Sequence, residues 1–342
     1  MIILGIETSC DETAAAVVEK TLSGNFVVRS NIISSQTKLH AEYGGVVPEL
    51  AAREHLQNIL PVITQALRDA KISDVKKISA IAVSQGPGLI TSLMSGLETA
   101  KTLAYAWQLP LIPINHIESH LYANFIEQPK IKLPALVLTV SGGHTTLLLL
   151  NKHGDLTLLG ETLDDAAGEA FDKAAQLMNL GYPGGPIVSA WANKFKNDTH
   201  LIHLPRPMLN KPGYNFSFSG LKTALLYQLQ NDSSWRKNIP EYCAEFQQAI
   251  VDVLVGKAIK AAKTHPIKSI LLAGGVAANT CLRETLDKNI NKQWPLYLPP
   301  LKYTTDNAAM VATAGFYHWR DRLKGAKVLD ITANANLALF KS

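Results

Sequence analysis

Cysteine and long apolar runs are both scarce in this sequence. Its 342 residues include only three cysteines, and no two of them form a Cys-x-x-Cys pair. Such a sparse, odd set argues against a disulfide framework and favours a reducing compartment. No stretch reaches the roughly 18 uninterrupted apolar residues of a membrane-spanning helix. The first residues, Met1 to Glu7, lack the basic region that begins a secretory signal. We therefore expect a cytoplasmic protein with no membrane contact.

Charge is sparse as well, but it is unevenly placed. Charged residues make up 18% of the chain, and the formal net charge is +5. Residues 191–240 contain seven basic and two acidic side chains, and aromatic residues are interleaved with them. These are Lys194, Lys196, Arg206, Lys211, Lys222, Arg236 and Lys237 against Asp198 and Asp232, with Trp191, Phe195, Tyr214, Phe216, Phe218 and Trp235. Such a segment suits a nucleic-acid backbone with splayed bases, and the alternative is a solvated face over a small core.

One order of elements occurs twice along the chain. A hairpin with a polar tip is followed by a long helix, and then by a strand, a glycine turn and a helix. The first copy covers residues 2–19, about 48–70 and 78–88, and the second covers 135–150, about 241–263 and 269–279. This repeat predicts an α/β protein of two similar lobes with a cleft between them. Glycine turns after strands suit a phosphate group, although tight turns also occur in any α/β protein.

The stretch Asn115 to His120 suggests a metal site. His116 and His120 are four residues apart, so a helix would place both imidazoles on one face, where they can chelate a divalent cation. The alternative is two histidines that merely share a helix face. Asp306 lies at an expected helix start, where it is either a cap or a third ligand. Two histidines and a carboxylate suit Fe(II) or Zn with open positions.

Nine motifs occur together in one order. They are Gly5-Ile-Glu-Thr-Ser-Cys-Asp-Glu-Thr13, His40-Ala-Glu-Tyr-Gly-Gly-Val-Val-Pro-Glu49, His116-x3-His120, Val140-Ser-Gly-Gly-His-Thr145, Asp164-Asp-Ala-Ala-Gly-Glu-Ala-Phe-Asp-Lys173, Tyr182-Pro-Gly-Gly-Pro186, Phe216-Ser-Phe-Ser-Gly-Leu-Lys222, Gly274-Gly-Val-x-Ala-Asn279 and Thr305-Asp-Asn307. Through them, and up to about residue 320, the sequence resembles the universal family of tRNA N6-adenosine threonylcarbamoyltransferases, in its bacterial form.

The resemblance implies a fold and a reaction. The fold is a pair of duplicated actin-like, sugar-kinase-like (ribonuclease H-like) lobes. The N-terminal lobe would contain residues 1–115 plus about 312–342, and the C-terminal lobe, with most of the donor site, residues 116–311. The reaction is transfer of a threonylcarbamoyl group from threonylcarbamoyl-AMP to the N6 amine of the adenosine 3′ of the anticodon, in tRNAs that read codons beginning with A.

The resemblance also implies roles for individual residues. His116, His120 and Asp306 would hold one divalent transition metal per chain, with Fe(II) favoured and Zn possible. Asp11 and Glu12 would lie at the reacting centre as the catalytic residues. The adenylate would contact Thr139, Val140, Ser141, Gly142, Gly143, Asp172, Gly185 and Asn279. Ser189 departs from the family, since many relatives have aspartate there. The implied partners are tRNA, a paralogous non-catalytic subunit and a small P-loop ATPase, and a homodimer is possible.

Three other functions are compatible with parts of the sequence. A zincin peptidase needs glutamate directly after the first histidine, and Ile117 occupies that position, with Glu118 one residue later. A small-molecule kinase or ATPase of the same fold would bind ATP with Mg²⁺ and would not need the histidine pair. A non-catalytic scaffold, like the shortened paralogues of the family, would lack the three expected metal ligands, which this chain keeps.

Overall fold

A computed structural model of the chain describes residues 1–128, 130–196, 202–290 and 292–339. Asp198 and residues 340–342, which belong to the segments considered above, lie outside this part. The strands are β1 (Ile2–Glu7), β2 (Glu12–Lys20), β3 (Phe26–Ser35), β4 (Ala80–Gly86), β5 (Leu111–Asn115), β6 (Ala135–Val140), β7 (Thr145–Lys152), β8 (Asp155–Glu161), β9 (Ser269–Ala273) and β10 (Leu296–Tyr297). The helices are α1 (Thr37–Ala41), α2 (Pro48–Asp69), α3 (Ile90–Ala106), α4 (His116–Tyr122), α5 (Ala167–Leu177), α6 (Gly184–Ala192), α7 (Ser219–Asn231), α8 (Ile239–Thr264), α9 (Thr280–Ile290) and α10 (Ala308–Tyr317).

The first compact unit consists of Met1–Ile131 and Pro299–Ser342. Its sheet has the order β3-β2-β1-β4-β5, in which β1 to β3 are antiparallel and β4 and β5 run parallel to β1. Leu4 and Ile6 of β1 pack in one core cluster with residues of α2 and α3. On the other face, a Cβ at Gly5 would lie 2.2 Å from the carbonyl oxygen of Ala308. Glycine at this position therefore lets the start of α10 lie directly against β1.

The second compact unit, Lys132–Leu298, repeats this topology. Its sheet has the order β10-β9-β6-β7-β8, so β6, β7, β8, β9 and β10 correspond to β1, β2, β3, β4 and β5. The antiparallel and parallel pairings correspond as well. Apolar residues of β6 form one core with α5 and α8. The duplicated α/β organisation predicted from the sequence is confirmed, whereas the edge strands β3 and β8 were not predicted.

The division into units follows the packing of α4. Tyr122, at the end of α4, stacks on Tyr317 at the end of α10, with ring centroids 4.6 Å apart. The helix that carries both histidines therefore belongs to the first unit. The units divide at residues 131/132 and 298/299, whereas the sequence led us to expect divisions near 115/116 and 311/312.

The aromatic residues of the basic segment belong largely to the core of the second unit. Phe216 and Phe218 are fully buried, and Trp191, Tyr214 and Trp235 are partly buried against the same cluster. Basic side chains of the segment lie over two of these rings, Lys194 over Trp191 and Arg236 over Trp235. Phe216 and Phe218 are consequently inaccessible to a nucleic-acid base. Among the described helices, none combines the length and apolarity that crossing a membrane requires.

Candidate functional site

The histidine pair is positioned by a capped helix start. β5 ends at Asn115, whose side-chain oxygen accepts hydrogen bonds from the amides of Ile117 and Glu118 at 2.9 and 3.3 Å. An asparagine cap satisfies amides that lack an intrahelical partner and starts α4 at His116. His116 and His120 then share a face of the helix, and both are buried. Their ring centroids are 4.8 Å apart, so the predicted pairing of these side chains is present.

Asp306 joins the pair because a neighbouring residue caps α10. The cap is Asn307, whose side-chain oxygen accepts from the amide of Met310 at 3.1 Å. The Asp306 carboxylate is directed instead at the histidines. Its Oδ1 lies 3.1 Å from Nε2 of His120 and 3.6 Å from Nε2 of His116. The capping role considered for Asp306 thus belongs to Asn307.

The three side chains fit a transition-metal ion. One ligand atom from each lies within 4.8 Å of the others. Donor atoms placed about 2.0–2.2 Å from a common ion lie at most about 4.4 Å apart, so a small closure of the set would let one ion contact all three. His120 adds a second indication, because within the described part of the chain neither of its buried ring nitrogens has a hydrogen-bond partner. Its Nε2 approaches Asp306 without the geometry of a hydrogen bond, so its lone pair is suited to a cation.

Glu7 orients the first of these histidines. Its Oε2 lies 3.1 Å from Nδ1 of His116, and the hydroxyl of Ser9 lies 3.0 Å from the same nitrogen. Glu7 is fully buried at the end of β1 and also accepts hydrogen bonds from the Ser9 amide and the Ser84 hydroxyl. A carboxylate on one imidazole nitrogen fixes the ring and directs the other nitrogen to a metal. The sequence alone did not predict a role for Glu7, although a carboxylate that ends an apolar strand is a usable signal.

The protonation of Glu7 and His116 follows from their proximity. Burial raises the pKa of Glu7, but the charge and hydrogen bond of His116 outweigh it, so the pKa is lowered. Burial lowers the pKa of His116, yet Glu7 and Asp306 together raise it to about 9. The site therefore stabilises positive charge at this position.

Asp11 and Glu12 lie in the bend between β1 and β2. Glu12 begins β2 and accepts a hydrogen bond from the hydroxyl of Ser35 at 3.2 Å. Burial, followed by the charges of Asp11 and Asp306, raises the pKa of Glu12 well above its usual range. The contribution of Asp306 means that Glu12 lies within electrostatic range of the candidate metal ligands.

The expected adenylate loops of the second unit are held close together by glycines. After Thr139 and Val140, the turn Ser141–His144 joins β6 to β7, and the Ser141 carbonyl accepts from the amide of Gly168 at 3.2 Å. A Cβ at Gly142 or Gly143 would meet no atom of the described chain within 4 Å. The backbone of this turn is therefore accessible to a ligand. The hydroxyl of Thr139 is buried and has no hydrogen-bond partner among the described residues.

Asp172 and Asn279 have structural partners in the second unit. Asp172 accepts from the amide of Gly184 at 2.7 Å, which fixes the start of α6 beside the open Gly185. The Asn279 amide donates to Ser189 and Gln247 at 2.9 and 2.8 Å. Ser189 therefore makes a hydrogen bond at the position where an aspartate was expected. Gln247 was not predicted from the sequence, since a polar residue in a long helix gives no separate signal.

Gly274 offers a test of this packing. Its φ is +87°, and a Cβ there would lie 2.3 Å from the carbonyl oxygen of Val140. We expect Gly274→Ala to lower the free energy of unfolding by at least about 2 kcal/mol, because left-handed strain adds to a backbone clash. Gly154→Ala is the control, since its φ is +77° but its surroundings are open. Equal losses in urea unfolding of both variants would contradict the clash.

Comparison with solved structures defines the class of the fold. HypF from T. kodakarensis aligns with 94% of this chain and 48% of its own length, with a TM-score of 0.64 and 15% identity. Component A of the (R)-2-hydroxyglutaryl-CoA dehydratase of Acidaminococcus fermentans aligns over 94% and 99%, with a TM-score of 0.54 and 12% identity. These similarities concern the fold alone. The chain has the duplicated actin-like, sugar-kinase-like α/β fold that the sequence predicted.

Sequence comparison identifies the family. The model of the family described as TsaD, tRNA N6-adenosine threonylcarbamoyltransferase, matches residues 27–313. The protein of that name from Caldicellulosiruptor saccharolyticus is 49% identical over 93% of each chain, and that from Bacillus subtilis is 46% identical over 100% of this chain and 97% of its own. The chain belongs to the tRNA N6-adenosine threonylcarbamoyltransferase family and is an enzyme of tRNA modification, as the sequence indicated.

Proposed function

We propose that this protein transfers a threonylcarbamoyl group from threonylcarbamoyl-AMP to the N6 amine of the adenosine 3′ of the anticodon, in tRNAs that read codons beginning with A. The amine attacks the carbamoyl carbon, the bond from that carbon to the phosphate oxygen breaks, and AMP leaves. The observation that carries this proposal is the donor set of the buried His116 and His120 with the partly buried Asp306, with Glu7 behind His116. This set of side chains could hold a cation that activates the donor, in a chain that belongs to this family.

We propose that these three residues hold one divalent ion, with Fe(II) favoured and Zn as the alternative. The chemistry that such an ion supplies is Lewis-acid polarisation and orientation of a substrate oxygen. The protein's own contribution is rigidity, because Glu7 fixes the His116 ring and Asn307 leaves the Asp306 carboxylate directed at the histidines. The arrangement of the three proposed metal ligands is therefore formed before substrate binds.

Asp11 and Glu12 are the proposed proton acceptors for the attacking amine. Of the two, Glu12 has the better supported role, because its pKa is raised towards the pH at which a general base works best. The adenosine amine is a weak nucleophile, so correct placement contributes at least as much as basicity. The Ser35 hydroxyl restricts the Glu12 carboxylate and contributes to that placement.

The turn at 141–144 and the start of α6 are proposed to receive the adenylate, with Thr139 to Gly143, Asp172, Gly185 and Asn279 around it.

We expect Gly185→Ala to keep or slightly raise the melting temperature, since its surroundings are open and alanine favours a helix. The same methyl group would raise the KM for the donor about tenfold or more by obstructing its approach. Gly220→Ala, equally open but in α7, is the control. A donor KM unchanged in Gly185→Ala would contradict this placement.

The peptidase alternative lacks the glutamate base of the zincins. Glu118, the only carboxylate of α4, accepts from Nε2 of His318 at 2.9 Å, and Ile117 occupies the position where zincins have glutamate. The kinase alternative gives no reason for two buried histidines beside a carboxylate. Neither is favoured by the family to which the chain belongs.

The direct experiment is transfer of labelled threonine to unmodified tRNA by the purified protein supplied with threonylcarbamoyl-AMP. The proposed partners, a paralogous subunit and a small P-loop ATPase, are then added one at a time, and a homodimer is sought by light scattering. We propose that the protein and these partners act on tRNA in the cytoplasm. Absence of labelled tRNA with every component present would refute the proposed function, and metal-dependent caseinolysis would support the peptidase.

A further inference from the structure

Two histidines outside the metal centre are fully buried, and each has a defined tautomer. The amide of Val47 donates to Nδ1 of His40 at 3.2 Å, so Nε2 of His40 carries the proton and donates to Gln36 at 3.1 Å. Nε2 of His55 lies 2.9 Å from the carbonyl oxygen of Cys10, and its Nδ1 lies 2.8 Å from the hydroxyl of Thr13. A carbonyl only accepts, so Nε2 of His55 is the protonated nitrogen. Burial lowers the pKa of His55, which keeps it neutral.

These bonds connect the acidic bend to an exposed loop. At the bend, the Cys10 carbonyl is held by His55, and the Asp11 carbonyl accepts from the amide of Gln36 at 3.0 Å. The side chain of Gln36 then holds His40, and the His40 carbonyl accepts from the amides of Tyr43 and Gly45. The loop 42–47 is thereby fixed relative to Asp11 and Glu12 through buried polar groups, which are costly to break.

The loop presents an aromatic side chain that the fold does not use. Tyr43 is 60% exposed, and it is followed by two glycines at which a Cβ would meet no described atom within 4 Å. The only charged side chain of the loop is Glu42, so the loop does not favour phosphate. A large exposed ring on a fixed backbone, with open space beside it, has the character of a stacking platform for a nucleic-acid base.

We propose that Tyr43 stacks on a base of the tRNA anticodon loop. The chain His55–Gln36–His40, in which Gln36 Nε2 lies 3.5 Å from Nδ1 of His55, keeps this contact in register with Asp11 and Glu12. The inference rests on the proposed function and adds a substrate contact to it. The target adenosine must reach the carboxylates to react, so a neighbouring base held by Tyr43 would set its position. Tyr43 is thus a determinant of tRNA binding, whereas His40 and His55 are positioning residues.

The test measures the Kd for an unmodified tRNA transcript and the KM for tRNA at saturating donor. We expect Tyr43→Ala to weaken both by about tenfold or more, as loss of one base–aromatic stack does. Tyr43→Phe keeps the ring and should stay within about threefold of the wild type. Tyr105→Ala, which removes a tyrosine of similar exposure (58%) from α3, should change neither constant. The KM for the donor should be unaffected in all three variants.

A double-mutant cycle tests the register. His40→Gln removes the acceptor of the Val47 amide, and we expect its effect on tRNA binding to be much less than additive with that of Tyr43→Ala. If His40→Gln does not fold, the Tyr43 variants decide alone. Equal Kd values for Tyr43→Ala, Tyr105→Ala and the wild type would overturn the inference while leaving the transferase function intact. A wild-type protein that transfers no threonine would overturn both.

Discussion

Replacement of His120 with alanine is expected to remove the metal and, with it, the transfer activity. His120 is almost fully buried, and its nitrogens have no hydrogen-bond partner in the described structure, so its ring is suited to hold the proposed cation. Even the groups that orient metal ligands are worth about 10–100-fold in affinity. Loss of a ligand itself should therefore weaken metal binding, and single-turnover transfer, by more than about 100-fold. Metal content by mass spectrometry and single-turnover transfer measure the two effects.

His153→Ala is the matched control, because His153 is an exposed histidine in the turn between β7 and β8. Thermal unfolding separates loss of metal from misfolding. A metal at about 100 times its Kd stabilises the native protein by about 2.7 kcal/mol, and this increment should appear in the wild type and in His153→Ala only. Retention of a full metal equivalent by His120→Ala would show that the ligand set is wrong.

The central strands and long helices of the fold were predictable because their signals are local. Ala135–Val140 and Ser269–Ala273 are continuous apolar runs, and both agree with the observed strands. Strand Phe26–Ser35 was missed because it lies at the edge of its sheet, where exposed polar residues interrupt the apolar pattern. Strand Leu296–Tyr297 has two residues and carries no pattern at all. Edge strands are defined by a neighbour that only the folded chain supplies.

The site was predictable to the extent that spacing and resemblance carry it. A spacing of four residues was enough to pair His116 with His120. The sequence could not show whether α10 is capped by Asp306 or by the next residue, Asn307, because the two positions differ by a single residue. Glu7 is separated from His116 by over a hundred residues in the chain, and nothing local to either connects them. Ser189 of α6 and Gln247 of α8 likewise meet Asn279 only because these helices pack beside the turn before α9. Contacts between distant segments are where the sequence alone was insufficient.

The second large effect is expected at Glu12. If Glu12 accepts the proton of the amine, Glu12→Gln should lower transfer by about 10²–10⁴-fold without changing metal content.

The raised pKa of Glu12 also determines how its ionisation changes the stability of the fold with pH. The folded protein binds this proton more tightly than the unfolded chain, whose carboxyl titrates near 4.5. The stabilisation is complete below that pH and is lost as the pH rises through the folded pKa. Glutamine cannot ionise. When both proteins are free of metal, Glu12→Gln should therefore be more stable than the wild type at neutral pH. At pH 4 this difference in stability should be absent.

Asp11→Asn distinguishes the two carboxylates. Asp11 raises the pKa of Glu12 through its charge, so its neutralisation should shift the acidic limb of the pH–rate profile to lower pH while much of the activity is kept. Glu19→Gln, on the same strand and paired with Arg29 near the surface, controls for the loss of a carboxylate and should leave the profile unchanged. Full activity in Glu12→Gln together with inactivity of Asp11→Asn would assign the proton to Asp11. The raised pKa of Glu12 would then reflect a protonated carboxyl that donates a hydrogen bond to the base, rather than the base itself.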